Sequence, residues 1–139
     1  MLMKIVNARE IAEKHKAEKI VLIASRRTDM PRFYLQELYE GLLSETFHPQ
    51  GLMQKIWKLQ FKAKEIHSIG LWSQDYSLFL KKHKKFTDLG YNFWFRFTIL
   101  PDDPVIKPVA PPLKEQLYQL ESLCTFFNKD GINVCVDPI

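Results

Sequence analysis

Cysteine is nearly absent. The 139 residues hold two, Cys124 and Cys135, eleven positions apart. That pair builds neither a disulfide framework nor a metal-ligand spacing, and a reduced, cytoplasmic setting is the expectation. Cys135, inside an apolar stretch, reads as a small core residue and not as a nucleophile. Glycine is scarce too, at five residues, and there is no glycine-rich phosphate loop, no GxSxG and no HExxH. No apolar run approaches the roughly 20 residues of a membrane span. The opening MLMKIVNARE lacks the apolar stretch of a secretory signal. The four histidines, His15, His48, His67 and His83, are scattered, which argues against a histidine metal site; His48 beside Pro49 reads as a surface turn.

What is present suits a globular chain of one domain, long enough to bury a sizeable core. Hydrophobic residues make up 46% and charged residues 26%, while aromatics reach 13%, so the core should be rich in Phe, Tyr and Trp. The net charge of +4 comes partly from Lys81-Lys82-His83-Lys84-Lys85, at the end of a helical pattern. Cations there complement the helix dipole and form a solvated face. A nucleic-acid interface calls for basic residues interleaved with exposed aromatics, and here the aromatics fall at strand and core positions.

The chain is organised around Ile20 to Tyr34, IVLIASRRTDMPRFY. Its short apolar run, ended by Ser25-Arg26-Arg27-Thr28-Asp29, reads as a buried strand of a parallel sheet. Asp29 can cap the following helix and Pro31 fits its first turn. Two arginines, a hydroxyl on each side and a carboxylate therefore gather at the carboxyl end of a strand, where parallel α/β sheets bind ligands.

Asn7 to His15 predicts a capped helix, with residues 1–18 as an N-terminal helical segment and 19–139 as the main domain. After Pro31, Phe33, Tyr34, Leu38, Leu42 and Leu43 suggest one apolar helix face, ended by Gly41 and Ser44 to Thr46. Leu52 to Phe61 alternates and reads as a strand or hairpin arm. His67 to Trp72 is a second core strand ending in Trp72-Ser73-Gln74-Asp75. A helix with Leu78, Phe79, Lys82 and Phe86 follows and stops near Gly90. Tyr91 to Leu100 is a third strand, aromatic on one parity (Tyr91, Phe93, Phe95, Phe97) and mixed on the other. The mixed parity would place Arg96 and Thr98 toward the interior and the site end of a barrel. Residues 101–112 hold five of the eight prolines and form a loop. A helix then presents Leu113, Leu117, Leu120, Leu123, Cys124 and Phe127, and Val134-Cys135-Val136 is a fourth strand before Asp137. This alternation predicts right-handed βα units and a parallel sheet.

Ser25-Arg26-Arg27-Thr28-Asp29-Met30-Pro31-Arg32-Phe33-Tyr34 resembles the signature of the DUF1848 family, uncharacterised bacterial proteins with an S-R-R-T-D-I-P-x-F-Y motif. Weaker pieces follow in order: Leu71-Trp72-Ser73, Gly90-Tyr91, Phe97-Thr98, Pro111-Pro112-Leu113 and Asp137-Pro138-Ile139. The resemblance covers the chain from about Lys19 onward. It implies a TIM-barrel-like fold and, in complete members, a C-terminal cysteine cluster similar to the iron–sulfur motif of radical S-adenosylmethionine enzymes. That cluster is missing here, so no cofactor is expected in this chain. Three positions depart from the family pattern: Gln74 for a lysine, Cys135 for an arginine and Arg96 for a glutamine.

A full (β/α)8 barrel takes about 250 residues, so the expected fold is α/β, with parallel βα units forming a partial, half TIM-like barrel. A truncated gene, one half of a split protein, or a half-barrel pairing with a second copy would each account for that. Ser25, Arg26, Arg27, Asp29, Trp72, Ser73, Arg96 and Asp137 are the candidate site, binding an anionic small molecule. An arginine fork can clamp a carboxylate or phosphate; an internal salt bridge of the arginines with Asp29 or Asp137 is the competing role. No catalytic residue is assigned. The other reading is a non-catalytic α/β module that binds an anionic small molecule or a protein partner.

Overall fold

The computed structural model describes residues 4–25, 29–48, 57–102 and 110–136, and the side chain of Trp57 is not described. Four strands, β2 (Ile20–Ile23), β5 (Ile66–Ser73), β6 (Phe93–Ile99) and β7 (Ile132–Val136), form one sheet in that order, every pair parallel. Consecutive strands of this sheet are neighbours, as right-handed βα crossovers produce when each steps one place along. The parallel α/β architecture expected from the alternation is present.

A second sheet stands apart from it. β1 (Lys4–Asn7) pairs in parallel with β4 (Trp57–Gln60), which pairs antiparallel with β3 (Thr46–Phe47). The sequence pattern anticipated β4 within its alternating segment, but not β1, whose four residues are too few for a period. Residues 52–56 of that segment lie outside the described residues. Asn7 ends β1 and caps α1 (Ala8–Lys14), its Oδ1 accepting from Arg9 N at 2.9 Å.

The helices pack on one side of the large sheet. On β6 burial alternates: Phe93, Phe95, Phe97 and Ile99 are buried, while Arg96 is exposed and Trp94 and Thr98 are half-buried. The buried parity meets α4 (Ser77–Lys81), α5 (His83–Thr87) and α6 (Leu113–Phe126) through rings: Phe79 lies 5.5 Å from Phe95, Phe86 lies 6.2 Å from Phe93, and Phe127, at the end of α6, lies 4.8 Å from Phe95. Edge-to-face and tilted pairs at such distances add to the gain from burying these rings. The aromatic-rich core follows from composition.

Three helix faces differ from expectation. The segment after Pro31 breaks into α2 (Met30–Phe33) and α3 (Leu35–Ser44), and the buried residues are Leu35, Leu38, Gly41 and Leu42; Phe33, Tyr34 and Leu43 are exposed. The break at Tyr34 rotates α3 relative to a continuous helix, so Leu38 and Leu42 of the expected face are buried as read while Phe33, Tyr34 and Leu43 point to solvent. Gly41 does not end α3. It is buried against the Phe47 ring, which leaves no room for a Cβ, and the helix ends within the expected Ser44 to Thr46 stretch, at Glu45 with φ 57°. The helix read through Leu78, Phe79, Lys82 and Phe86 is two short ones, α4 and α5, with Leu78 exposed; Gly90 follows in the left-handed region, φ 84°. On α6, Leu117 and Cys124 face outward, and Gln116 and Gln119 take buried places beside Leu123.

Candidate functional site

The carboxyl ends of β2 and β5 are joined through Asp29. Its Oδ1 accepts from Arg32 N at 3.1 Å, capping α2, and its Oδ2 accepts from Ser73 Oγ at 2.8 Å and weakly from Gln74 N at 3.5 Å. One oxygen of the carboxyl thus caps α2 while the other ties the end of β5. Burial pushes its pKa up, against the hydrogen bonds from Ser73 and the two amides and the charge of Arg32. Two residues past Ser73, Asp75 Oδ1 accepts from Ser77 N at 3.0 Å and from Gln119 Nε2 at 2.9 Å, and Oδ2 lies 3.9 Å from Arg32 Nε. Burial works to raise Asp75, but Ser77, Gln119 and Arg32 together outweigh it and hold the carboxyl below its ordinary value.

The glutamines of α6 complete this edge. Gln119 Oε1 accepts from Tyr76 N at 2.7 Å, and Gln116 pairs with both peptide groups of Leu100: Leu100 N donates to its Oε1 at 2.9 Å, and its Nε2 donates to Leu100 O at 2.8 Å. Strands that end inside the protein leave peptide groups that need partners, and one turn of α6 supplies them. Tyr76, wholly buried, places its hydroxyl 2.9 Å from Leu71 O and 2.7 Å from Arg96 O, tying β5 to β6; burial first, then the charge of Asp29, keep the phenol well above its usual pKa. Gln116, Gln119, Tyr76, Arg32 and Asp75 were missed as candidates. Two glutamines three apart among leucines are a usable signal, because helical spacing put them on the apolar face.

The face of the sheet away from the helices is built in tiers set by register. Ile23 pairs with Gly70 and Gly70 with Trp94; Trp72 pairs with Arg96 and Arg96 with Asn133; Thr98 pairs with Cys135. Gly70 lets the Trp94 ring lie across β5, since a Cβ there would fall 2.3 Å from Trp94 Cζ2. The Arg96 guanidinium lies 5.3 Å from the Trp72 ring centroid, and its Nε donates to Cys135 Sγ at 3.2 Å. Among the described residues no carboxylate lies within ion-pair distance of Arg96. Two buried polar side-chain atoms, Ser25 Oγ and Trp72 Nε1, have no hydrogen-bond partner among the described residues.

Of the candidates, then, Asp29 and Ser73 are bonded to each other, and Trp72 and Arg96 share a tier. Arg26, Arg27 and Asp137 lie outside the described residues, as does any salt bridge they make. Cys135 is half-buried at the edge strand beside Arg96, not enclosed in the core.

The iron–sulfur cluster implied by resemblance does not fit this chain. Such clusters are held by three or four thiolates, and the chain has two cysteines, one of them exposed on α6 and the other engaged by Arg96. Among the described residues no group of three or more His, Cys, Asp or Glu is placed to hold a metal ion, and no helix is long and apolar enough to cross a membrane.

A sequence-family model described as Domain of unknown function (DUF1848) matches residues 21–139, most of the chain. No curated protein and no solved structure matches it.

Proposed function

The chain belongs to the DUF1848 family, a domain of unknown function, and we propose that it forms the first βα units of a TIM-like barrel and binds an anionic small molecule at the carboxyl ends of its strands. Sequential order of the four parallel strands, with helices packed against one face, supports the barrel reading; a doubly wound sheet carries helices on both faces. Arg96 carries the binding reading. It lies on the open face, at the tier of Trp72, with no carboxylate neighbour among the described residues. Ser25, Arg26, Arg27, Asp29, Ser73 and Asp137 complete the proposed site. In this reading the chain binds the anion and does not catalyse alone.

Titration calorimetry with inorganic phosphate and small carboxylates tests this. Saturable binding by the wild-type chain, lowered at least about tenfold in Arg96→Ala, is expected, because guanidinium–oxyanion bonds rank among the stronger polar contacts. Equal binding by both proteins, or none by either, sinks the reading.

A second reading, docking of a protein partner or of a second copy at the edge, draws on β7, where Val134 and Val136 are exposed, Val136 to 71%. Exposed apolar edge strands pair readily, and light scattering of the purified chain separates monomer from dimer.

A further inference from the structure

The open face holds two donors with nothing to bond. Ser25 is 5% exposed, so bulk water does not serve its hydroxyl, and Trp72 Nε1 is likewise closed off. Both lie toward the carboxyl ends of β2 and β5: Ile23 pairs with Gly70, Ala24 N donates to Gly70 O at 3.0 Å, Ser25 follows in the turn just past β2, and Trp72 is two residues beyond Gly70 on β5. Trp72 in turn pairs with Arg96 on the next strand.

The chemistry of the three groups points one way. An indole N–H and a guanidinium donate and never accept, and a serine hydroxyl donates readily. The partner that satisfies all three is an acceptor without hydrogens, carrying negative charge. Buried polar groups in folded proteins are overwhelmingly paired, and an orphan marks a place where a partner belongs. The two unpartnered single donors match the two oxygens of a carboxylate one for one, better than the three of a phosphate dianion. Resting on the anion-binding reading above, we infer that the ligand is a carboxylic acid whose carboxylate accepts from Trp72 Nε1 and Ser25 Oγ, with Arg96 balancing its charge.

The test is a titration of the 15N-labelled chain with sodium acetate and sodium succinate, and separately with inorganic phosphate, following the indole N–H signals. Trp72→Phe, which keeps an aromatic ring and removes the donor, assigns the Trp72 signal. A saturable shift of that signal with the carboxylates, and carboxylate affinity lowered about tenfold in Trp72→Phe and in Ser25→Ala, is the expected result. If Trp72→Phe does not fold, the wild-type shift and Ser25→Ala still decide. Carboxylate binding that needs Arg96 but leaves the Trp72 signal unmoved overturns this inference and leaves the anion site standing. Preference for phosphate overturns the carboxylate assignment alone. No response to any anion overturns both.

Discussion

On the helix side of the large sheet, Phe93, Phe95 and Phe97 are buried among rings from three helices, and the hydroxyl of Tyr76 and the amides of Gln116 and Gln119 all find partners. On the opposite side of the same strands, Arg96 is exposed, Val21 and Ile23 are half uncovered, and two closed-off donors have no partner. Adjacent residues of β6 belong to these two worlds. The comparison teaches that polar satisfaction is divided by strand parity: one face is saturated with contacts, and the other keeps unmet hydrogen-bonding capacity.

Substitution of neighbours breaks this comparison most sharply. Phe95→Ala should cost about 3–5 kcal/mol, because the ring is fully buried and its removal leaves a cavity among Tyr76, Phe79 and Phe127. Arg96→Ala, one residue away, should change stability by no more than about 0.5 kcal/mol. Urea unfolding of the two variants checks both, and equal losses would mean that the faces are not divided.

A smaller effect is expected where the saturated face depends on polar pairing. Gln116→Leu keeps the apolar bulk but strands Leu100 N and O and deprives Pro111 O of its donor. The expected loss is about 1–3 kcal/mol, the range for buried groups left unsatisfied. A neutral result would show that these strand-end peptides find other partners.

The smallest effect is in pH dependence, where the two aspartates at the sheet edge should oppose each other. Asp29 has its pKa raised by burial, so the folded chain holds that proton to higher pH than the unfolded one, and stability falls as pH rises just above the ordinary aspartate range. Asp75 is lowered on balance, so its contribution is present above the ordinary aspartate value and is lost as pH falls through its folded value. Unfolding midpoints between roughly pH 3 and pH 7 should lose their decline toward neutrality in Asp29→Asn and their acid-side decline in Asp75→Asn. Curves that coincide with wild type would place neither proton in the folding balance.

Much of this was legible in the chain itself. The run Ile20 to Ala24, the alternation from Phe93 to Ile99 and the glycine after α5 announce parallel strands and helix ends, because side-chain period and backbone freedom are local properties. The helix faces were less legible. A break at one residue, Tyr34, reorients all that follows it, and no periodicity records that. The candidate site was half legible: Trp72 and Ser73 stand at the end of β5 and Asp29 at the cap of the helix after β2 by position alone, whereas Arg96 lies in the middle of β6 and Gln116 and Gln119 act on strands far from them in sequence.

By itself, then, the sequence determined the parallel α/β order, the aromatic core and the family. Each rests on local pattern or on a continuous motif. Only the tertiary structure decided which parity the helices cover, that Asp29 spends one oxygen on its own helix and the other on Ser73, that Trp72 shares a level with Arg96, and that Ser25 Oγ and Trp72 Nε1 are left without partners. Those facts depend on strand register and on which peptide groups are left without partners, and both exist only once distant segments have been brought together.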